Sequence, residues 1–511
     1  MFMKLSSNIF ILSFSLFITL LNYKFFEFAI NKAGFYENKI VLLTLPVLFF
    51  ALLIISFSLL FLPYLTKPLS IFIGISGIAG AYFMNTYGTI IDGDMIRNAV
   101  QTDVKEVRDL LNWNIILWIL GAVFITIFIL KTQIVYSNIL HEVKIRSIFI
   151  VVALAIFGGS FGIFSKNFIP FFRNYPEIRF FTTPFYPIYS IIKFTKSLAP
   201  KAEFQKIGLD ATLKDDKKRL FVLIVGETAR AANYSLNNYM KNDTNPYSKE
   251  NGVLSFTNFY SCGTSTAISV PCMFSNLTKN TFSPDKANNM GNLLDVFTVA
   301  NVDVSWFGNN SGWCKGVCDR VQNAKNYGGE SFDEVMLKDI NSKIQNASKN
   351  SFIVVHLQGS HGPTYFKRYP KEFDKFNPTC DTAVLKDCSH DEIVNTYDNT
   401  ILYTDYVMNK IIDMLKDSKF ETGLLYVSDH GESLGENGLY LHGMPYAFAP
   451  DFQIHVPAIL WLNENKKLDE LRKLKDESLS QDYIFHSMLG FFDINSSVYD
   501  KNLDFFTKDI K

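Results

Sequence analysis

The sequence predicts a two-part α/β protein: an N-terminal domain of five transmembrane helices, then a domain built on a central, mostly parallel sheet. Three observations predict it. Five long apolar runs all end before residue 200, short apolar runs separated by helical stretches begin at residue 219, and all six cysteines fall in the second part. The chain's 511 residues are 48% hydrophobic and 15% aromatic, more than a soluble protein of this size usually carries.

The apolar runs are Ile9–Phe28, Ile40–Tyr64, Leu69–Tyr87, Trp113–Leu130 and Ile148–Phe164. Each approaches the roughly 20 residues needed to cross a ~30 Å hydrocarbon core. A cleaved signal peptide is the rival reading of the first run, because Lys4 precedes it, but no small-residue cleavage site follows Asn22. Orientation is not settled by basic residues: Lys4, Lys67, Lys131, Lys144 and Arg146 on one side match Lys32, Lys39, Arg97, Lys105 and Arg108 on the other. The cysteines break the tie. They form three close pairs, Cys262/Cys272, Cys314/Cys318 and Cys380/Cys388, which suits disulfides in an oxidising compartment. Free buried thiols and a thiolate zinc site are the alternatives. With five spans, an outside C-terminal domain places the N-terminus in the cytoplasm.

Residues 1–165 are therefore read as the membrane domain, 166–218 as an aromatic interfacial helix and linker, and 219–511 as the outer domain. Between Phe161 and Pro200, rings such as Phe168, Phe171, Phe180 and Tyr189 alternate with Lys166, Arg173 and Arg179. That mixture suits the lipid headgroup layer or, equally, a connector packed on the outer domain. In the outer domain Leu220–Val225, Phe352–Leu357, Gly423–Val427 and Val456–Leu462 are buried-strand candidates, interleaved with helical stretches such as Asp391–Asp417. Ligands of such sheets gather beyond the carboxyl ends of the strands. The first 200 residues carry 16 basic and nine acidic side chains, the whole chain 49 of each, and no basic stripe points to nucleic acid.

Three predicted strands end in metal-capable groups. Glu227 follows the first in FVLIVGETAR, His361 the second in FIVVHLQGSHGP, and Asp429 with His430 the third in LLYVSDHGESLGE; YLHGMP adds His442. Oxygen and imidazole donors without thiolates suit zinc or manganese, and the His–carboxylate mixture favours zinc. Each residue alone is more simply a cap or a satisfied polar group; their recurrence at one sheet edge points to a site. In YSCGTSTAISVPCMFS, Thr264, Ser265 and Thr266 precede a helix-forming run. A hydroxyl there meets free N–H groups and the positive end of a helix dipole, an environment for phosphate; a plain Ser/Thr N-cap is the competing reading.

Taken together, VGETAR, CGTSTAISVPCMFS, GSHGPTYFKRYP, NTYDNTILYTD and SDHGESLGENGLYLHGMP, in this order, resemble the alkaline phosphatase/sulfatase-like superfamily. Within it they are most similar to the lipid A and lipooligosaccharide phosphoethanolamine transferases, including those that confer polymyxin resistance. The resemblance implies a zinc-dependent transferase with Thr266 as nucleophile and Glu227, Thr266, Asp429 and His430 as zinc ligands. It further implies that His361 and His442 serve a second zinc or the substrate phosphate, and that Lys315, in NNSGWCKGVCDR, meets the phosphoryl group. Asn98, Thr102 and Glu106, in MIRNAVQTDVKE, match positions that contact the ethanolamine donor. The implied partners are a phosphatidylethanolamine donor in the membrane and a lipid A or lipooligosaccharide acceptor. The implied setting is a monomer of the bacterial inner membrane with its catalytic domain in the periplasm. Another membrane-anchored phospho- or sulfo-ester enzyme of the superfamily is the alternative, although the Cys/Ser-x-Pro-x-Arg motif of sulfatases does not occur around Thr266. A transporter or sensor is the alternative outside enzymes; the spans carry few of the ionisable or Gly/Pro-broken positions that transport sites use.

Overall fold

Uninterrupted Leu, Ile and Phe leave the first part of the chain little choice but helix, because every backbone group in lipid must be paired within its own segment. A computed structural model describes residues 3–101, 113–197, 203–329 and 331–507. They divide into two compact units, one formed by residues 3–93 and 113–194, the other by the remainder.

In the helical unit, α1 (Ser7–Leu21), α2 (Tyr23–Ala33), α3 (Phe35–Leu60) and α4 (Thr66–Tyr87) come first. The short α5 (Gly93–Gln101) follows in the chain but belongs, from Asp94, to the other unit, and α6 (Trp113–Lys131), α7 (Ile139–Asn174) and α8 (Phe185–Ser197) complete the helical series. Among the described residues four helices, α3, α4, α6 and α7, are long and apolar enough to cross a membrane, and α1 with α2 form a pair bent by 44°. Five spans thus require the bent pair to count as one. The first apolar run is broken at Asn22, whose amide is fully used: Nδ2 donates to the Ile18 and Thr183 carbonyls at 2.8 and 2.6 Å, and Oδ1 accepts from Thr183 N at 2.8 Å. Hydropathy cannot register such a break, because the residues on both sides of it are apolar.

The last span also runs further than its apolar stretch, to Asn174. Some of the aromatic residues read as an interfacial linker pack within the helical unit: Phe181 stacks on Phe28 at 3.9 Å, and Phe168 and Phe171 are buried. Two oppositely charged pairs stand out among the described residues of this unit. Lys24 meets Glu27, and buried Glu142 accepts from Ser7 Oγ at 2.7 Å and from Arg146 Nε at 3.2 Å. Arg146 also caps the end of α3 by donating to the Ser58 and Phe61 carbonyls at 3.1 and 2.8 Å, the partners a cation needs at a helix C-terminus.

The second unit is built on a seven-stranded sheet. Its strands are β1 (Arg219–Gly226), β2 (Leu254–Phe256), β3 (Asp303–Gly308), β4 (Asn323–Asn326), β5 (Ser351–His356), β6 (Glu421–Ser428) and β7 (Ala458–Leu462), in the spatial order β2-β7-β6-β1-β5-β3-β4. Strands β6, β1, β5, β3 and β4 are parallel, whereas β7 runs antiparallel to β6 and to β2. All four expected strands are present. Alternation with period two divides their side chains between two cores. Phe221, Leu223, Val225, Val354 and Leu425 face one; Leu220, Val222, Ile224, Val355 and Leu424 face the other. The long helix His390–Lys416, started by a Ser389/Glu392 capping box, covers the second core with Tyr397, Ile401 and Ile411. The first core is closed by helices that include Thr266–Met273, numbered α9 here.

Register then decides where the site lies. Gly226 is opposite Ser428, Val225 is opposite His356, and His356 is opposite Gly308. Glu227, Asp429 and the loops after β3 and β5 therefore leave the sheet at one edge. All six cysteines are joined in the three local pairs, Cys262–Cys272, Cys314–Cys318 and Cys380–Cys388, which removes the free-thiol and thiolate-zinc alternatives.

Candidate active site

Glu227, one residue past β1, is fixed from several sides. Thr228 Oγ1 donates to Oε1 at 2.6 Å and Asn310 Nδ2 to Oε2 at 2.7 Å. Asp429 follows β6, and its Oδ1 accepts from the backbone N–H groups of Thr228 and His430 at 3.0 and 2.7 Å. Its other oxygen, Oδ2, is buried and has no hydrogen-bond partner. His430 Nδ1 lies 2.9 Å from the Gly431 carbonyl, which can only accept, so Nδ1 carries a proton and Nε2 faces the carboxylates, as an N–H donor to them or, once deprotonated, as a lone pair for a cation between them. Nε2 is 3.5 Å from Glu227 Oε1 and 3.4 Å from Asp429 Oδ2.

Thr266 is the first residue of α9, after an extended Ser265, and the Cys262–Cys272 bridge spans this helix start. Its Oγ1 lies 3.3 and 3.2 Å from the two Glu227 oxygens and 3.5 Å from His430 Nε2. The hydroxyl is thus placed on the carboxylate–imidazole cluster at the positive end of the helix dipole.

These separations fit a four-coordinate cation. Metal–ligand distances of ~2.0–2.2 Å in a tetrahedron place donors about 3.3–3.6 Å apart, and the contacts described among Thr266, Glu227, Asp429 and His430 run from 3.2 to 3.5 Å. Electrostatics agree. Burial first, and the Glu227 charge second, push Asp429 up to about 7. Burial opposes a charged His430, but the Asp429 and Glu227 carboxylates outweigh it and push the imidazole up to about 10. Two adjacent buried carboxylates demand positive charge, and the unpartnered Asp429 Oδ2 is the lone pair a cation would take.

Other expected residues are brought near to differing degrees. The ring of His442 is 4.1 Å from that of His430 and 6.4 Å from that of His361, so His442 has both other imidazoles as neighbours. Lys315 lies in the Cys314–Cys318 loop with φ +48°. Together with Pro271 and Ser275 it lines a cavity of about 290 Å³, while Asn310, earlier in the connection between β3 and β4, reaches Glu227. Asn98 is on α5; Thr102 and Glu106 lie outside the described residues. Sequence reasoning missed Asn310, Thr228 and Glu432. Asn310 stands in the segment that supplied Lys315, and Glu432 in the segment that supplied His430, so segment membership was the available signal.

Gly359 sets how closely the loop after β5 approaches Glu227. It has φ +51°, and a Cβ there would lie 2.9 Å from the Glu227 carbonyl oxygen and 3.1 Å from its nitrogen. Gly359→Ala is expected to displace the Glu227 turn and lower transfer by about 10- to 100-fold, the scale of a small misplacement of reacting groups. Initial rates of the purified variant check this; a wild-type rate would contradict the tight packing.

Comparison with known proteins extends over both units. A family profile described as Phosphoethanolamine transferase EptA/EptB matches residues 49–199, and one described as Sulfatase matches residues 219–494. Phosphoethanolamine transferase EptA of Escherichia coli (strain K12) is 37% identical over 495 residues, covering 91% of this chain and 89% of that protein. Phosphatidylethanolamine transferase Mcr-1 of Escherichia coli is also 37% identical, over 503 residues, 93% of this chain and 92% of that one. Among solved structures, the integral membrane protein lipooligosaccharide phosphoethanolamine transferase A (EptA) from Neisseria meningitidis matches with a TM-score of 0.92 at 32% identity, covering 98% of both chains.

Proposed function

We propose, from the premise that this chain belongs to the EptA/EptB family of phosphoethanolamine transferases, that Thr266 carries the group between phosphatidylethanolamine and lipid A or lipooligosaccharide. The observation that carries this reading is the convergence of Thr266 Oγ1 on Glu227 and His430 at the start of a helix.

In the first half-reaction Thr266 Oγ1 attacks the phosphorus of the donor. The bond from phosphorus to the diacylglycerol oxygen breaks, diacylglycerol leaves with a proton, and phosphoethanolamine remains on Thr266. In the second, a phosphate oxygen or sugar hydroxyl of the acceptor attacks the same phosphorus and Thr266 recovers its hydroxyl. Glu227 accepts the Thr266 hydrogen bond and fixes the direction of the oxygen. The first-turn N–H groups of α9 and the Lys315 ammonium favour the charge on the phosphoryl oxygens. Zinc, held by Glu227, Thr266, Asp429 and His430, would supply the charge that makes an otherwise weakly acidic hydroxyl a competent nucleophile.

The membrane unit suits a lipid donor, since exposing acyl chains to water costs ~0.8 kcal/mol per CH₂. The three disulfides favour the periplasmic side of a bacterial inner membrane for the catalytic unit, and a monomer would contain every residue named. Given phosphatidylethanolamine vesicles and no acceptor, the protein is expected to release diacylglycerol to about one equivalent per enzyme and then slow sharply. Quantifying diacylglycerol over time checks this. Steady release without acceptor would favour direct hydrolysis over a stored intermediate.

A further inference from the structure

One buried carboxylate beside the site has no part in the scheme above. Glu432 is fully buried, and its backbone is held in both directions: its N–H donates to the Phe452 carbonyl at 2.7 Å, and its carbonyl accepts from Arg230 Nη1 at 3.3 Å. The side chain has two partners. The Tyr365 hydroxyl donates to Oε1 at 2.9 Å, and His442 Nδ1 lies 3.0 Å from Oε2. Tyr365 belongs to the loop that carries His361, and its own ring is buried edge-on against Tyr397 at 5.4 Å. One carboxylate therefore ties the His361 loop to the His442 loop.

That contact constrains the imidazole chemically. An ionised carboxylate accepts hydrogen bonds and cannot donate them, so the shared proton resides on His442 Nδ1 and the neutral ring carries its lone pair at Nε2. The ring so fixed stands 4.1 Å from His430, whose Nε2 is 3.5 Å from Thr266 Oγ1. An imidazole in this tautomer accepts a hydrogen bond at Nε2 and cannot donate one to a phosphoryl oxygen from that nitrogen.

The geometry points to Glu432 as the positioning residue of His442: it selects the Nδ1–H tautomer and the ring orientation, so that Nε2 meets a substrate N–H or O–H group beside Thr266. The substrate is that of the transferase reading, on which this inference rests. A carboxylate that orients a metal-ligating imidazole through its far nitrogen typically contributes about 10- to 100-fold, and the same scale is expected for this ring.

The test uses the full-length protein in detergent micelles with phosphatidylethanolamine. Glu432→Ala is expected to lower kcat by about 10- to 100-fold, with KM for the lipid within about twofold and bound zinc unchanged. Glu432→Gln, whose amide oxygen still accepts from Nδ1–H while its NH₂ donates to the Tyr365 oxygen, should recover most of the loss. In a His442→Gln background, Glu432→Ala should add less than about twofold, because its effect passes through a ring already removed. Nitrogen-15 NMR of histidine-labelled protein, with the His442 signals identified by their loss in His442→Gln, should show an unprotonated Nε2 in the wild type and a tautomer mixture in Glu432→Ala. A full additional loss in the His442→Gln background, loss of zinc in Glu432→Ala, or a protonated Nε2 in the neutral wild-type ring would each overturn the inference. Failure of the wild type to release diacylglycerol would instead count against the transferase reading, and the NMR result stands apart from it.

Discussion

Thr266→Ala is expected to abolish transfer, by ~10⁴-fold or more, the scale on which removing a covalent nucleophile acts. The fold should survive. Thr266 is the first residue of α9, where alanine has good helical propensity, and the helix start is also held by the Cys262–Cys272 bridge. The variant should therefore form its disulfides, melt within a few degrees of the wild type and still bind phosphatidylethanolamine. Thr266→Ser keeps the oxygen and should stand orders of magnitude above the alanine variant in rate. The comparison separates loss of chemistry from loss of structure, and initial rates with thermal melting curves are sufficient to make it.

Asp429→Asn carries the second large effect. The asparagine oxygen can go on accepting from Thr228 N and His430 N, so the turn should hold, but an amide NH₂ replaces the oxygen that has no protein partner. A cation loses a lone pair and meets a donor instead. Zinc affinity should fall by more than about 100-fold, beyond what losing an outer hydrogen-bond partner costs, and transfer should fall with it. Melting of the metal-free protein gives a readout independent of activity. Removing one of two neighbouring buried carboxylate charges should leave the metal-free variant as stable as the metal-free wild type, or more so. A variant that retained stoichiometric zinc and full activity would contradict the ligand set.

Much of this site was legible in the sequence because sheet physics exposes it. Apolar runs such as Leu220–Val225 and Gly423–Val427 have one structural use, and polar residues immediately after them, Glu227 and Asp429, must leave a parallel sheet at its carboxyl edge. Other features depend on contacts made far along the chain. Asn22 breaks the first apolar run only because Thr183 receives its amide, and no local pattern records a partner 161 residues away. Strand β3, Asp303–Gly308, mixes Asp, Ser and Gly with Trp and Phe, so its apolar run is too interrupted to stand out. Val456–Leu462 was read as a buried strand without a direction; β7 begins at Ala458 and runs antiparallel, an arrangement set by its neighbours. The aromatic stretch after the last span has the composition of a headgroup-layer segment, but composition does not reveal that Phe28 receives Phe181. Glu432 escaped for a similar reason: its meaning lies in Tyr365 and His442, which belong to two other segments.

If the transferred group passes through Thr266, the residue should be found carrying it. The full-length protein is incubated with phosphatidylethanolamine in the absence of acceptor, quenched in acid, digested, and the peptide containing residues 262–272 is sequenced by mass spectrometry. Phosphoethanolamine is expected on Thr266, accumulating in step with diacylglycerol release, discharged when lipid A or lipooligosaccharide is added, and missing from Thr266→Ala. An adduct on Thr264 or Ser265, or transfer to acceptor with no adduct at any time point, would contradict it.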